Sequence, residues 1–166
     1  MKKNILLFGA LLAFTTLPYA EEFKIPSGDS KITIPEGYKN FRLLGVSQRS
    51  DAQTLRAIFG NDVAIESART GKTHLWPNGT ILVKLGWKHQ QSDKFPAATI
   101  PGEFAGIAVM FKDDVRYAAT AGWGWGEWSG TELKPNEKPD FAKECVACHS
   151  AVKDQDWVFT RLVKLP

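Results

Sequence analysis

The chain has two cysteines, Cys145 and Cys148, and His149 follows the second directly. This C-x-x-C-H spacing limits the possible folds more than any other feature. On a helix the three side chains stand at i, i+3 and i+4 and face one way. Two thiols so placed can add across the vinyl groups of a porphyrin while the adjacent imidazole binds iron from the same side, which is the haem c attachment pattern. A thioredoxin-like thiol pair is the competing reading, but it belongs near the start of an α/β domain and needs no histidine. A zinc site would want four ligands, and the other histidines, His74 and His89, are distant in sequence. We therefore read Cys145 and Cys148 as haem-attachment residues and His149 as the proximal iron ligand.

The start of the chain is not read as part of the fold. Met1-Lys2-Lys3 is basic, Ile5 to Leu12 is apolar, and Leu17-Pro18-Tyr19-Ala20 offers a small residue before Glu21. That is the layout of a bacterial-type secretory signal, and the apolar run is too short for a ~20-residue membrane span. Residues 1–20 are expected to be a signal peptide and residues 21–166 a single periplasmic haem domain. Export matters here, because haem c is attached outside the cytoplasm. The remaining length suits one core. A net charge of +3, evenly spread and reduced by loss of Lys2 and Lys3, excludes nucleic acid as the expected partner.

Local patterning predicts an α+β domain, a mainly antiparallel sheet with a few short helices. Glu21 to Lys39 reads as an extended lead-in. Strands are expected at Phe41 to Val46, Arg56 to Phe59, Thr80 to Lys88, Glu103 to Lys112 and Gly122 to Trp128. Loops are expected at Gln90 to Pro101 and Pro135 to Pro139. Asn61 or Asp62 can cap a helix through Ala68, and Asp140 can cap the haem-attachment helix from Phe141 to about Ser150. Gly122, Gly124 and Gly126 share one face of their strand, where a flat group such as haem could approach closely. Aromatic core packing accounts for the interleaved tryptophans nearly as well.

The group opposite His149 on iron decides the function class. An electron-transfer cytochrome supplies Met or His there. Apart from Met1 the one methionine is Met110, in an expected strand where core filling is its ordinary role. His74 and His89 fall in or near loops and read as surface residues. No strong sixth ligand stands out, so an open iron site is expected.

Several pieces occur in order: Tyr38 to Val46 (YKNFRLLGV), Trp76 to Leu85 (WPNGTILVKL), Phe111-Lys112-Asp113, Arg116-Tyr117, Gly122-Trp123-Gly124, the C-x-x-C-H, and Asp156 to Thr160 (DWVFT). From about Gly37 to Pro166 the chain resembles the cytochrome P-460 family and its relative cytochrome c'-beta. The resemblance implies a mainly β haem domain, a homodimer, with haem attached near the C-terminus. In cytochrome P-460 a lysine is also bonded to the porphyrin, and Lys84 occupies the matching position. Judged by its strand alone, Lys84 reads as a solvated lysine opposite Ile81, Val83, Leu85 and Trp87. Active members oxidise hydroxylamine with a distal glutamate as proton relay, and that position falls on Ala108. Glu103 is five residues away and would point to the other face of a regular strand. A pocket without a carboxylate would lack acid–base help of roughly 10²–10⁴-fold, while ligand binding would survive. Arg56 matches a family arginine near the pocket, where it would position a ligand or pair a propionate; it reads equally as a surface charge. The implied activity is hydroxylamine oxidation with electrons passed to a partner cytochrome. The alternatives are nitric oxide binding without turnover, as in cytochrome c'-beta, or electron transfer.

Overall fold

Alternating apolar residues and well-placed turn residues run the chain back and forth through six antiparallel strands. The computed structural model describes residues 32–163; the expected signal peptide lies outside them. The strands are β1 (Arg42–Arg49), β2 (Thr54–Gly60), β3 (Ile81–Gln91), β4 (Thr99–Lys112), β5 (Trp123–Ser129) and β6 (Lys134–Pro135), and their order in the sheet is their order in the chain. Helix α1 (Asp62–Arg69) links β2 to β3, and α2 (Phe141–His149) follows the sheet. The α+β expectation, mainly antiparallel sheet with a short helix near the C-terminus, holds. No helix among the described residues is long and apolar enough to cross a membrane.

Asn61 caps α1, its Oδ1 accepting from Ala64 N at 3.1 Å. The same oxygen accepts from Ile81 N at 3.1 Å and Asn61 Nδ2 donates to Gly79 O at 2.8 Å, so one side chain joins the helix start to β3. Asp140 behaves otherwise. It precedes α2 but makes no side-chain cap bond, and its carboxylate pairs with Lys143 at 2.7 Å instead.

Both faces of the sheet are covered, which a one-sided reading of β3 did not anticipate. On the first face Leu44, Ala64, Ile65, Trp76, Leu82, Trp123, Trp125 and Val158 pack beneath the two helices and the C-terminal segment. On the second, Ile81, Val83, Ile107, Val109, Phe111 and Tyr117 are covered by Ile32, Ile34 and Tyr38 of the lead-in and by Phe41 just before β1. Leu44 joins the first core because the β1–β2 register shifts between Leu43 and Gly45, turning an extra residue inward.

Two expected loops are shorter than predicted. The β3–β4 hairpin continues to Gln91 and Thr99, and strand pairing takes in Pro101 opposite His89. From Thr99 to Phe104, no strand among the described residues pairs with β4 on its β5 side, so this stretch is an edge where proline costs no ladder bond. Lys134 and Pro135 add a short sixth strand beside Trp128 and Ser129.

Candidate functional site

Residues directly opposite across paired strands share a face. One row across the sheet reads Ile58, Lys84, Ala108, Glu127. The next reads Arg56, Gly86, Gly106, Ser129, and on the other side lies Leu82, Met110, Trp125. This is the face that α2 packs on. The register therefore brings together Arg56, Lys84 and Ala108, and adds Glu127 from β5.

On α2, Cys145, Cys148 and His149 stand at helical spacing, both cysteines as free thiols. Cys145 is half-buried against the first core, and Cys148 is exposed. Burial, aided by the Glu127 carboxylate, pushes the Cys145 thiol up to about 11. His149 lies edge-on between Trp125 and Phe159, with ring centroids 4.7 and 4.9 Å away. Its Nδ1 is 2.6 Å from the Trp157 carbonyl oxygen. A carbonyl only accepts, so the proton sits on Nδ1 and Nε2 keeps its lone pair for a metal. Desolvation lowers the imidazole's pKa, which also favours the neutral, ligating form.

A cleft of about 120 Å³ opens on the sheet, lined by Arg56, Lys84, Gly86, Gly106, Glu127 and Ser129 among others. At about 30 Å³ per water, that is room for a few small polar species. The opposed glycines Gly86 and Gly106 leave its floor without side chains. Between Gly86–Gly106 and Trp87–Phe104 the register shifts, leaving Ala105 as an extra residue. The bulge also reverses the alternation of β4, so that Glu103 pairs with Lys88 at 2.8 Å in solvent rather than turning to the far face.

Lys84 is half-buried, and desolvation, reinforced by the nearby Arg56 charge, lowers its pKa; Glu127 opposes that shift. It is not a solvated-face lysine. Arg56 is half-buried, its pKa also lowered by desolvation, and its Nε donates to Thr54 Oγ1 at 3.3 Å. Of the two open readings for Arg56, the cleft position is the one observed.

Glu127 was missed by sequence reasoning. It sits directly across from Ala108, so the cleft has a carboxylate although position 108 does not. Its Oε2 accepts from Asn136 Nδ2 at 3.3 Å. The only local hint was strand parity: Glu127 follows Trp123 and Trp125 at intervals of two, on the face opposite the glycines. Those glycines do not face the site. A Cβ on Gly124 would meet the Tyr117 ring and Ile32, and one on Gly126 would meet Trp128. Their close approach is to second-face aromatics, and Trp125 is the tryptophan at the site. His89 also departs from expectation, because it lies within β3 with a buried Nε2 that has no hydrogen-bond partner among the described residues. His74 is exposed, as expected.

These residues fit a haem with iron on His149. The donor set is an imidazole of fixed tautomer and two thiols on one side of a helix. Beside it, the buried Trp125 Nε1 has no partner among the described residues, and the glycine pair leaves the adjoining sheet bare. The family model for cytochrome P460 matches residues 35–160. No curated protein matches the chain.

Proposed function

The chain belongs to the cytochrome P460 family and is thus a haem-binding protein; on that premise we propose that it is a c-type haem protein acting on small nitrogen species, foremost in hydroxylamine oxidation. The observation that carries this reading is the convergence of Arg56, Lys84 and Glu127 on one small cleft, on the sheet face that bears His149. A pure electron carrier has no need of two cations and a carboxylate beside its haem.

Bound there, the haem supplies a redox-active iron. The protein's own residues do the rest. Cys145 and Cys148 would hold the haem through their thiols, and His149 would offer Nε2 to the iron. Lys84 would give a second covalent tether; replacing a porphyrin C–H by C–N releases two electrons and two protons, which an added oxidant such as a peroxide would take up. The lowered pKa of Lys84 supports that role, because a larger share of the amine is neutral and nucleophilic. Arg56 holds a ligand or a propionate in the cleft. Glu127 takes the protons that oxidation of a nitrogen hydride must release, the part that Ala108 cannot play. Asn136 steadies one carboxylate oxygen and leaves the other for proton exchange.

A secretory signal at residues 1–20 and a single domain over 21–166, periplasmic and homodimeric, belong to the same reading. So does a partner cytochrome that accepts the electrons. A second reading, nitric oxide capture without turnover, draws on Ala108, since an alanine at the family's glutamate position removes the usual relay.

Two experiments test these readings. Proteolysis and mass spectrometry of the holoprotein should find haem bridging the Cys145–His149 peptide to the Lys84 peptide. Haem on the cysteine peptide alone would remove the second tether. Steady hydroxylamine turnover with an artificial acceptor should fall 10²–10⁴-fold in Glu127→Gln, with ligand binding retained. If the unmodified protein binds nitric oxide but shows no turnover, the second reading replaces the first.

A further inference from the structure

Two consecutive residues after α2, Asp156 (φ +49°) and Trp157 (φ +65°), lie in the left-handed region. For a bulky side chain such as Trp157 that conformation is a real outlier, and it persists only where the surroundings over-determine it. Here they do. Asp156 is buried, and its Oδ1 accepts from Lys112 Nζ at 2.9 Å. Its Oδ2 accepts from Trp76 N at 2.8 Å, and its carbonyl accepts from Trp123 Nε1 at 2.9 Å. Lys112 is itself almost wholly buried, pairs with Asp114 at 3.0 Å, and lies 5.2 Å from the centre of the Trp123 ring. The turn between β2 and β3, the end of β4 and the start of β5 thus all hold one aspartate. The next residue in the chain provides the carbonyl bonded to His149 Nδ1.

We propose that the Lys112–Asp156 ion pair is a positioning device for the proximal imidazole, locking the left-handed turn that aims the Trp157 carbonyl at His149. A buried ion pair gains little stability over apolar packing, because desolvation offsets most of the attraction. What it provides is fixed geometry, and the site needs that. The bond to Nδ1 sets the tautomer, the ring orientation and the donor strength of the histidine. Lys112 and Asp156 touch neither iron nor substrate. They act through Trp157 and His149.

The proposal rests on His149 being the iron ligand, and the test separates the two claims. In the reduced holoprotein, resonance Raman should give an iron–histidine stretching band that disappears in His149→Gly and returns on adding imidazole. A band that survives His149→Gly overturns both readings. In Asp156→Asn the side chain can still accept from Trp76 N but loses its charge. The band should then move to lower frequency and the midpoint reduction potential should rise, because a loosened Nδ1 bond makes a weaker donor to ferric iron. Lys112→Gln should shift both in the same directions, while Glu103→Gln, which breaks the exposed pair with Lys88, should move neither. A His149-dependent band and a potential that stay at their starting values in haem-loaded Asp156→Asn and Lys112→Gln overturn this proposal alone. If those variants fail to take up haem, Trp123→Phe decides on the same two readouts, since it leaves Lys112 and Asp156 in place and removes the donor to the Asp156 carbonyl together with part of the ring beneath Lys112.

Discussion

At Lys84, burial and the nearby Arg56 guanidinium act together against the ammonium charge. Its folded pKa lies below the unfolded 10.5, so the unfolded chain holds the extra proton between the two values and stability rises with pH there. The cost of the buried charge is full below the lowered pKa and fades as pH climbs toward 10.5. In the haem-free chain, Lys84→Met should therefore raise stability by about 1 kcal/mol at neutral pH in urea unfolding. That advantage should shrink as pH rises through the lowered value; a constant difference would mean that charge is not the cause. The thiols give a second outcome at this scale. Alkylation of the haem-free chain should tag exposed Cys148 first and reach Cys145 only as pH nears 11. That Cys145, Cys148 and His149 share one helix was legible in the sequence because their spacing is local, within one helical turn and a half. Glu127 was not, because its place opposite Ala108 follows from the register of β4 on β5, and no short window of sequence contains both strands.

At the level of elements, two residues with the same capping chemistry behave differently. Asn61 bonds the first turn of α1, the start of β3 and Gly79, whereas Asp140 pairs with a lysine on the surface. Asn61→Ala should cost about 2 kcal/mol, a lost cap plus buried groups left without partners. Asp140→Ala should stay within about 0.5 kcal/mol, because exposed pairs contribute little. Chemical unfolding of the two variants side by side measures both. Turn residues and alternation made five strands and both helices readable in advance. The extended hairpin was not, since Pro101 signals a loop wherever a ladder bond is needed, and only the sheet's outline shows that none is needed there. The glycines misled for a related reason. Alternation shows that they share a face, but which face meets the helix depends on what covers each side.

Over the whole molecule, the sheet separates two cores, and adjacent residues of β3 serve different ones. Val83 packs under the lead-in, and Leu82 packs with Trp125 beneath α2. Val83→Ala and Leu82→Ala should each destabilise by about 2–3 kcal/mol through the cavity left behind. Only Leu82→Ala should also disturb the haem spectrum, because only that cavity opens beside the residue that packs on His149. Equal spectral changes in the two would mean that the faces are mechanically coupled. The strand order has a consequence of its own. Each strand pairs with the one made just before it, from β1 through β6, and the thiols follow all of them. A chain that emerges from its N-terminus can finish the sheet from nearest neighbours alone. The reactive pair then arrives once the sheet is complete, and only the segment that holds His149 in place, from Asp156 to Phe159, is still to come.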